Sequence, residues 1–487
     1  MKKYEKFNQQ YINGIWRDGA SSTIIDDVNP YDLSVVCSFR GASLADLNEA
    51  YETAALAQKE WTRKLPSERS EVMLTVADII EARQEEIAEI MAMECGSTYV
   101  KQIAEIKITV NITREAATFP TRQHGFIYDS YTPGKESRAY RKPLGVIGVI
   151  SPFNFPLNLT MRSVGAAIAT GNAVVLKPAS ETPIIGGTLL GLLFEEAGLP
   201  AGVLNVIVGK SSEIGDPFSA HPIPKMISFT GSTEVGIRIA KIAAEGLKKT
   251  ALELGGNNVF IVLNDADIDQ AVAAAVFGKF MHQGQICMSI NRILLQENIA
   301  EEFTQKFIQK VKTLKYGSPA DKDVLVGPVI DDKAVSRIMK SMAESVAMGA
   351  KVAVGGTFEG RVIAPTVLVG VKNDYPIAKD EIFGPVAPII KFRDEEEMLK
   401  LANSINYGLS GAIHTKDVNR GVLLAKKVET GMIHVNDQTV NDEPNAPFGG
   451  EKGSGLGRFN GNFIMEEFST LQWVTVQNEK RRYSPFA

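Results

Sequence analysis

Short apolar runs rich in β-branched residues alternate with helical stretches through the middle of the chain. Runs of this length are typical of buried strands. Buried strands separated by helices favour a parallel sheet covered on both faces, with ligands at the carboxyl ends of the strands. The first series of strands is predicted at 145–150, 173–176, 203–208 and 226–230, and the second at 259–263, 293–295, 388–392, 412–414 and 432–435. We therefore expect an α/β protein with a second α/β domain beginning near residue 255.

The segments outside these two series have a different texture. Apolar residues at helical spacing predict helices at 42–61 and 67–94, whereas residues 124–141 show no helical stripe and predict an extended excursion. The tail at 471–477 alternates like a strand. We expect the excursion and the tail to lie outside the two helix-covered sheets.

Composition excludes several classes of protein. The 487 residues are 44% hydrophobic and 22% charged, as in soluble globular proteins of several domains. A net charge of −5 gives no electrostatic reason to bind nucleic acid or an anionic membrane. The three scattered cysteines indicate neither a disulfide framework nor a thiolate metal site. With polar residues at 1–6 and no apolar run near the length of a bilayer, we expect no signal peptide, no membrane partner and a cytoplasmic location.

Cys287 is the candidate nucleophile. It follows an Ala-rich helical stretch and Gly284, where a loop can present a side chain. A thiolate is a strong nucleophile near neutral pH when its pKa is lowered. A buried structural thiol is the alternative, and we assign that role to Cys37 and Cys95. His282 is predicted to be a partly exposed helix histidine that faces away from Cys287, and no histidine or cysteine spacing indicates a metal.

Two further side chains suggest chemistry. Glu253 lies in an apolar strand before paired glycines, where burial would raise its pKa toward that of a general base. A structural ion pair is the alternative. Asn154, in a Pro- and Phe-rich turn after the first strand of the series, could donate a hydrogen bond to an oxyanion, although asparagine is common in such turns.

No strand is followed by the standard dinucleotide-binding glycine pattern. Residues 231–236 follow a strand and open a helix, which places backbone N–H groups where a pyrophosphate could bind. The glycines of 453–457 follow no predicted strand, and a flexible loop is favoured there. Lys177, at the end of a strand, is a candidate donor to a ribose or phosphate, with a surface lysine as the alternative.

Taken together, the motifs of this chain resemble those of the NAD(P)-dependent aldehyde dehydrogenase superfamily over nearly its whole length. They are Pro152-Phe153-Asn154-Phe155-Pro156, Lys177-Pro178-Ala179-Ser180-Glu181-Thr182-Pro183, Phe229-Thr230-Gly231-Ser232-Thr233-Glu234-Val235-Gly236, Leu252-Glu253-Leu254-Gly255-Gly256, Gly284-Gln285-Ile286-Cys287, Glu381-Ile382-Phe383-Gly384-Pro385-Val386 and Pro447-Phe448-Gly449-Gly450. The resemblance implies a Rossmann-type cofactor domain, an α/β catalytic domain and a small oligomerisation β-extension. It places them at 1–122 with 143–254, at 255–464, and at 123–142 with 465–487.

The resemblance also implies roles for single residues. Cys287 would be the nucleophile, Glu253 the base and Asn154 part of the oxyanion hole. Relatives that pass the acyl group to coenzyme A lack the glutamate, so its presence implies hydrolysis to a carboxylic acid. The residues implied to bind the NAD or NADP cofactor are Lys177, Gly231, Ser232, Glu381 and Phe383, with no metal. A homodimer or homotetramer is implied as well.

Two departures from the family pattern matter. Ser180 stands where many NAD-preferring members carry a glutamate that repels a 2′-phosphate, so we expect NADP to be tolerated. Phe459 stands where many members carry a second glutamate, so a contribution of that carboxylate to proton transfer is not expected.

The surroundings of Cys287 look most like those of the benzaldehyde and vanillin dehydrogenase branch, which implies an aromatic aldehyde substrate. No arginine is evident in the motifs flanking the nucleophile, which weighs against succinate semialdehyde. The alternatives are an aliphatic aldehyde or semialdehyde dehydrogenase, an inactive cofactor-binding or structural protein on the same fold, and a cysteine hydrolase without cofactor. An apolar substrate pocket is predicted from Phe153, Phe155, Leu157, Ile286, Met288 and Phe448.

Overall fold

The computed structural model describes residues 6–484. Residues 1–5, which carry part of the expectation that there is no signal peptide, lie outside the described residues. Residues 485–487, at the end of the predicted oligomerisation segment, do so as well.

The first predicted series forms the parallel centre of an eight-stranded sheet. In spatial order its strands are Ile15–Arg17, Gln10–Ile12, Leu204–Val206, Ala173–Lys177, Val146–Ile150, Met226–Thr230, Lys249–Glu253 and Gly455–Leu456. The five strands from Leu204–Val206 to Lys249–Glu253 run parallel, and the edge strands join them through antiparallel pairs. The predicted α/β class is confirmed, and the carboxyl ends of these five strands share one edge.

The second series forms a seven-stranded sheet. In spatial order its strands are Lys351–Val354, Thr366–Val369, Val386–Phe392, Ile290–Gln296, Asn258–Val262, Gly411–His414 and His434–Val435. Strand Lys351–Val354 is antiparallel to its neighbour, and the other six strands are parallel to one another. The domain limits given above stay a prediction.

Helices cover both large sheets. Their bounds are Leu44–Trp61, Pro66–Ala82, Gln84–Cys95, Tyr99–Ala116, Phe119–Arg122, Pro156–Ala169, Leu189–Glu196, Ser211–Ala220, Thr233–Glu245, Ile268–Phe280, Glu297–Val311, Asp332–Ala347, Pro376–Lys379, Glu395–Asn403, Val418–Ala425 and Gly461–Glu467, with a π-helical turn at Ile184–Thr188 and a 3₁₀ turn at Met281–Gly284. The single helix predicted at 67–94 is wrong, since the backbone at Arg83 departs from helical angles (φ −105°, ψ 19°) and divides it into two helices.

The predicted excursion and the tail pair with each other. Strand Ser469–Gln477 runs antiparallel to Lys135–Pro143 along its full length, and Phe126–Tyr128 pairs on the other side. The result is a separate three-stranded sheet. Three two-stranded ribbons complete the strands: Ile24–Val28 with Val35–Arg40, Phe358–Glu359 with Val362–Ile363, and Tyr407–Gly408 with Glu451–Lys452.

The flexible loop favoured for 453–457 is wrong. Residues Gly455–Leu456 form a strand antiparallel to Lys249–Glu253, with Gly455 opposite Glu253. Gly455 has a φ of +152°, and a Cβ there would collide with the carbonyl oxygen of Leu252. Glycine is therefore required by close strand approach, and it fixes the edge of the sheet beside Glu253.

No helix within residues 6–484 combines the length and the apolar character that crossing a membrane requires.

Candidate active site

Glu253 is the last residue of strand Lys249–Glu253, at the carboxyl edge of the first sheet. The residue is 1% exposed, which confirms the prediction of a carboxylate inside an apolar strand. Neither carboxylate oxygen has a hydrogen-bond partner among the described residues. Burial raises the pKa of Glu253 to about 7, against the opposing effect of Arg162. A carboxylate with this pKa can accept a proton near neutral pH.

Cys287 lies in the short loop between helix Ile268–Phe280 and strand Ile290–Gln296. The Asn258 amide anchors this loop by donating to the carbonyl oxygens of Cys287 and Ser289, both at 2.7 Å. A Cβ on Gly256 would collide with the Cys287 carbonyl, so this glycine lets the two segments meet. The side chain of Cys287 is half-buried. Burial, and next the charge of Glu253, raise the pKa of the thiol to about 12.

Asn154 connects the first sheet to the cysteine loop. It is 4% exposed in the turn after strand Val146–Ile150, and its Nδ2 donates to the Gln285 carbonyl at 3.0 Å. An amide nitrogen carries two hydrogens, so one remains for a further acceptor. The structure thus brings Asn154 to the loop that carries Cys287, and Glu253 acts electrostatically on the same thiol.

Lys177 and Ser180 lie at the same edge of the first sheet. Lys177 is 3% exposed, so the alternative of a surface lysine is wrong. Its Nζ donates to Ser211 Oγ at 3.2 Å, and burial lowers its pKa to about 8. Ser180 is half-buried in the turn that follows the strand.

The remaining residues predicted to bind cofactor come from both sheets. Gly231 follows strand Met226–Thr230, and Ser232 caps helix Thr233–Glu245 by accepting from Val235 N–H at 3.5 Å. The helix therefore begins at this edge, where its first N–H groups favour an anion.

Glu381 lies in the segment before strand Val386–Phe392 of the second sheet and meets the glycine pair after Glu253. Its Oε1 accepts from Gly256 N–H at 3.0 Å, and burial raises its pKa to about 7. Phe383 has a left-handed backbone (φ +46°), unusual for a bulky residue, and its ring meets that of Phe153 edge-on, with centroids 5.9 Å apart. Residues from the two halves of the chain thus converge.

The residues of the predicted apolar pocket lie next to Asn154, next to Cys287 and against Arg162. Ile286 and Met288, on either side of Cys287, are 3% and 7% exposed. Phe155 and Leu157 are buried beside Asn154, and Phe448 is buried against Arg162. Their contacts with substrate stay a prediction.

The prediction that His282 is a partly exposed residue of the helix is wrong. The helix ends at Phe280, and left-handed backbone angles at His282 (φ +47°) and Gln283 (φ +55°) turn the chain inward. His282 is fully buried, with its ring edge-on to Phe155 at 5.7 Å between centroids. Burial lowers the pKa of His282 well below its ordinary value, so the ring is neutral at pH 7.

Two charged residues of the site were missed by sequence reasoning. Arg162 Nη2 lies 4.0 Å from Glu253 Oε2, and its Nη1 lies 3.8 Å from Asp442 Oδ2. Arg162 is the one charged residue in helix Pro156–Ala169, every residue of which is buried. A single arginine in an otherwise uncharged helix was the sequence feature that could have identified it. Asp442 lies in an irregular loop, where its sequence neighbours gave none.

The other two cysteines differ from Cys287. Cys95 is fully buried, and its thiol donates to the Met91 carbonyl at 3.1 Å. Cys37 is half-buried on strand Val35–Arg40. Burial raises the pKa of both thiols. Within residues 6–484, no group of three or more histidine, cysteine, aspartate or glutamate side chains is placed to hold a metal ion.

Comparison with known proteins accounts for this arrangement. Residues 16–474 match the model of the aldehyde dehydrogenase family. A benzaldehyde dehydrogenase of Bacillus subtilis (strain 168) is 50% identical over 99% of this chain and 100% of its own length. A vanillin dehydrogenase of Corynebacterium glutamicum is 49% identical over 96% of this chain and 97% of its own.

A solved structure gives the same result. The crystal structure of an NAD-dependent benzaldehyde dehydrogenase from Corynebacterium glutamicum is 46% identical and covers 97% of this chain and 98% of its own, with a TM-score of 0.90. The family match and these similarities cover nearly the whole chain. The chain therefore belongs to the aldehyde dehydrogenase family.

Proposed function

We propose that this chain is a cytoplasmic enzyme that oxidises an aromatic aldehyde to its carboxylic acid with NAD⁺. The observation that carries the proposal is the meeting of Cys287, Glu253 and Asn154 at the edge where the cofactor-type residues also lie. An inactive protein on this fold would have no need of that convergence. A hydrolase without cofactor would not need Lys177 and Glu381 there.

The proposed chemistry begins at Cys287. The thiol proton passes to solvent as the sulfur bonds to the aldehyde carbon, and the amide of Asn154 donates to the oxyanion that forms. The carbonyl re-forms as hydrogen leaves the carbon with its electron pair, which oxidises the bound aldehyde to a thioester on Cys287. Glu253 then takes a proton from water, whose oxygen attacks the thioester carbon. The carbon–sulfur bond breaks, the carboxylic acid leaves, and the sulfur of Cys287 takes the proton held by Glu253, which regenerates the thiol.

The residues at the sheet edge fit a dinucleotide. Among the described residues, the buried Lys177 Nζ donates one hydrogen bond, to the hydroxyl of Ser211, so it has donor capacity left. The Ser232-capped helix favours phosphate, and the half-exposed carboxylate of Glu381 can accept from ribose hydroxyls. When bound, the oxidised nicotinamide supplies the hydride acceptor and a positive charge that favours the thiolate.

The substrate class is supported by the relatives named for benzaldehyde and vanillin and by the surroundings of Arg162, the cation beside Glu253. The absence of an arginine near the nucleophile, argued above from the motifs, does not hold in three dimensions, because Arg162 lies there. However, two carboxylates flank this one guanidinium and two aromatic rings cover it. The guanidinium is thus already engaged by two acidic side chains and is not free to bind the carboxylate of a substrate.

An aldehyde panel tests this proposal. We expect kcat/KM for benzaldehyde and vanillin to exceed that for hexanal and succinate semialdehyde by at least about tenfold, equivalent to about 1.4 kcal/mol. The measurement is formation of reduced cofactor at 340 nm. A preference for either aliphatic aldehyde would contradict the aromatic assignment, whereas no oxidation of any aldehyde would favour the inactive alternative.

The cofactor preference depends on Ser180. Because serine does not repel a 2′-phosphate, we expect the kcat/KM ratio of NAD⁺ to NADP⁺ to stay below about a thousandfold, or about 4 kcal/mol. Ser180→Glu should lower kcat/KM for NADP⁺ at least about tenfold further through charge repulsion, with little effect on NAD⁺. Ser180→Gln, matched in size but neutral, separates charge from bulk. Equal losses with both cofactors in Ser180→Glu would contradict this role.

The three-stranded sheet supports our proposal of a homodimer or homotetramer. One face of it exposes Phe126 (44%), Tyr128 (51%) and Trp473 (71%), and the exposed Tyr131 (108%) lies on the adjoining loop. Apolar side chains grouped in this way are typical of surfaces that bind another chain. Sedimentation velocity, compared with the chain mass of 52.9 kDa, measures the assembly.

A further inference from the structure

Arg162 stands at the centre of a buried charged cluster. Its side chain is 1% exposed, and its guanidinium lies between two rings, 4.2 Å from the centroid of Phe448 and 4.7 Å from that of Phe459. The Glu253 and Asp442 carboxylates approach its two terminal nitrogens at 4.0 and 3.8 Å. Both contacts are longer than a hydrogen bond, so Arg162 acts on the two carboxylates mainly through its charge.

The two carboxylates differ in the hydrogen-bond donors that lie near them. Asp442 Oδ1 accepts from Asn460 Nδ2 at 2.7 Å, and its Oδ2 lies 3.5 Å from Asn158 Nδ2. Glu253 has no such donor among the described residues. One guanidinium cannot balance two buried carboxylates, so a proton is favoured on one of them. Glu253 lacks the amide donors that favour an ionised carboxylate, so Glu253 is the group that takes the proton.

Other charges face Glu253 from neighbouring segments. Arg458, after strand Gly455–Leu456, donates to the carbonyls of Gly450 and Gly457 and opposes the rise in the pKa of Glu253. Glu381 and Glu253 each raise the pKa of the Cys287 thiol, and Arg162 lowers it. Arg162 is thus the buried cation that both proposed reacting groups share.

We propose that Arg162 and Asp442 are positioning residues that act in opposition on the proton of Glu253, with Arg162 favouring the carboxylate and Asp442 favouring the acid. The inference rests on the proposed function, in which Glu253 must be ionised to activate water. Phe459, in the place of the second glutamate expected for the family, covers the face of the guanidinium, so Asp442 provides the second carboxylate from a different loop. The balance of the two charges keeps Glu253 able to exchange a proton near neutrality.

The test is the pH dependence of acyl-enzyme hydrolysis, measured by rapid quenching after a single turnover of benzaldehyde. The rate should fall as pH falls through the midpoint of Glu253, because the acid form cannot accept a proton. Arg162→Gln should move this midpoint up by about one pH unit, and Asp442→Asn should move it down by a similar amount. Arg162→Lys, which keeps the charge, should restore the midpoint toward wild type. Asp437→Asn, an exposed aspartate of the same loop, is the matched control and should not move it.

A purely structural role would lower the rate without moving the midpoint. Shifts of both variants in the same direction, or in neither, would overturn the proposal. If Arg162→Gln does not fold, the near-isosteric Asp442→Asn alone decides, since an unchanged or raised midpoint contradicts the inference. Unimpaired hydrolysis in Glu253→Gln would instead refute the proposed base. An infrared titration of the protonated carboxyl band that Glu253→Gln lacks should give the same order of midpoints without turnover.

Discussion

Replacement of Cys287 by alanine is expected to abolish aldehyde oxidation, with a loss in kcat of at least about ten-thousandfold. Without the sulfur, no covalent adduct forms, and an aldehyde carbon does not release hydride readily until a nucleophile has added. The loop itself should persist, because Asn258 holds it through backbone carbonyls that alanine retains. The measurement is reduced-cofactor formation at 340 nm, with mass spectrometry to detect any acyl adduct.

Cys37→Ala is the matched control for this experiment. Its thiol is also half-buried and its pKa is also raised, yet it lies on strand Val35–Arg40, where the charges that act on it are those of Asp27, Glu94 and Asp26. We expect full activity in this variant. Residual oxidation in Cys287→Ala near the wild-type rate would remove the basis of the proposed mechanism.

Glu253→Gln is expected to separate the two halves of the reaction. Hydride transfer should still yield about one equivalent of reduced cofactor per site, whereas steady-state turnover should fall at least about a hundredfold, because glutamine cannot take a proton from water. Since Glu253 makes no hydrogen bond among the described residues, the near-isosteric amide breaks none. The burst is measured by stopped flow and the trapped thioester by mass spectrometry.

Thermal unfolding of Glu253→Gln controls for a change in fold. Because removal of a buried, imperfectly paired charge relieves a desolvation cost, we expect its Tm to be at or above that of wild type. Loss of the burst together with turnover would mean that Glu253 acts before hydride transfer. Retention of turnover would show that another group activates water.

The fold was predictable because its strands are short, apolar and separated by helices. Strand Met226–Thr230 was placed to the residue, since burial on both faces leaves a continuous apolar run. Glu253 and Lys177 were candidates because a charged side chain at the end of a buried apolar strand is unusual and suggests a function. The same reasoning failed at His282, where left-handed backbone reverses the chain after a helix end, a geometry that hydrophobic periodicity does not encode.

The charged half of the candidate site was less accessible to sequence reasoning. Helix Pro156–Ala169 is buried on every side, so no amphipathic stripe indicates which way Arg162 points. Asp442 reaches it from a loop almost three hundred residues later, and only the folded chain brings them together. Strand Gly455–Leu456 was missed for a related reason. A strand of two residues in a glycine-rich segment is too short to show an alternation of apolar and polar residues.

The pairing of Gly455 with Glu253 joins positions roughly two hundred residues apart. During synthesis the strand that carries Glu253 is made long before its edge partner. The interval between strand Lys135–Pro143 and its partner Ser469–Gln477 is longer still. Contacts of such separation close late in folding. A chain that stops before residue 455 therefore contains Cys287 and Glu253 but lacks the edge strand that pairs with Lys249–Glu253.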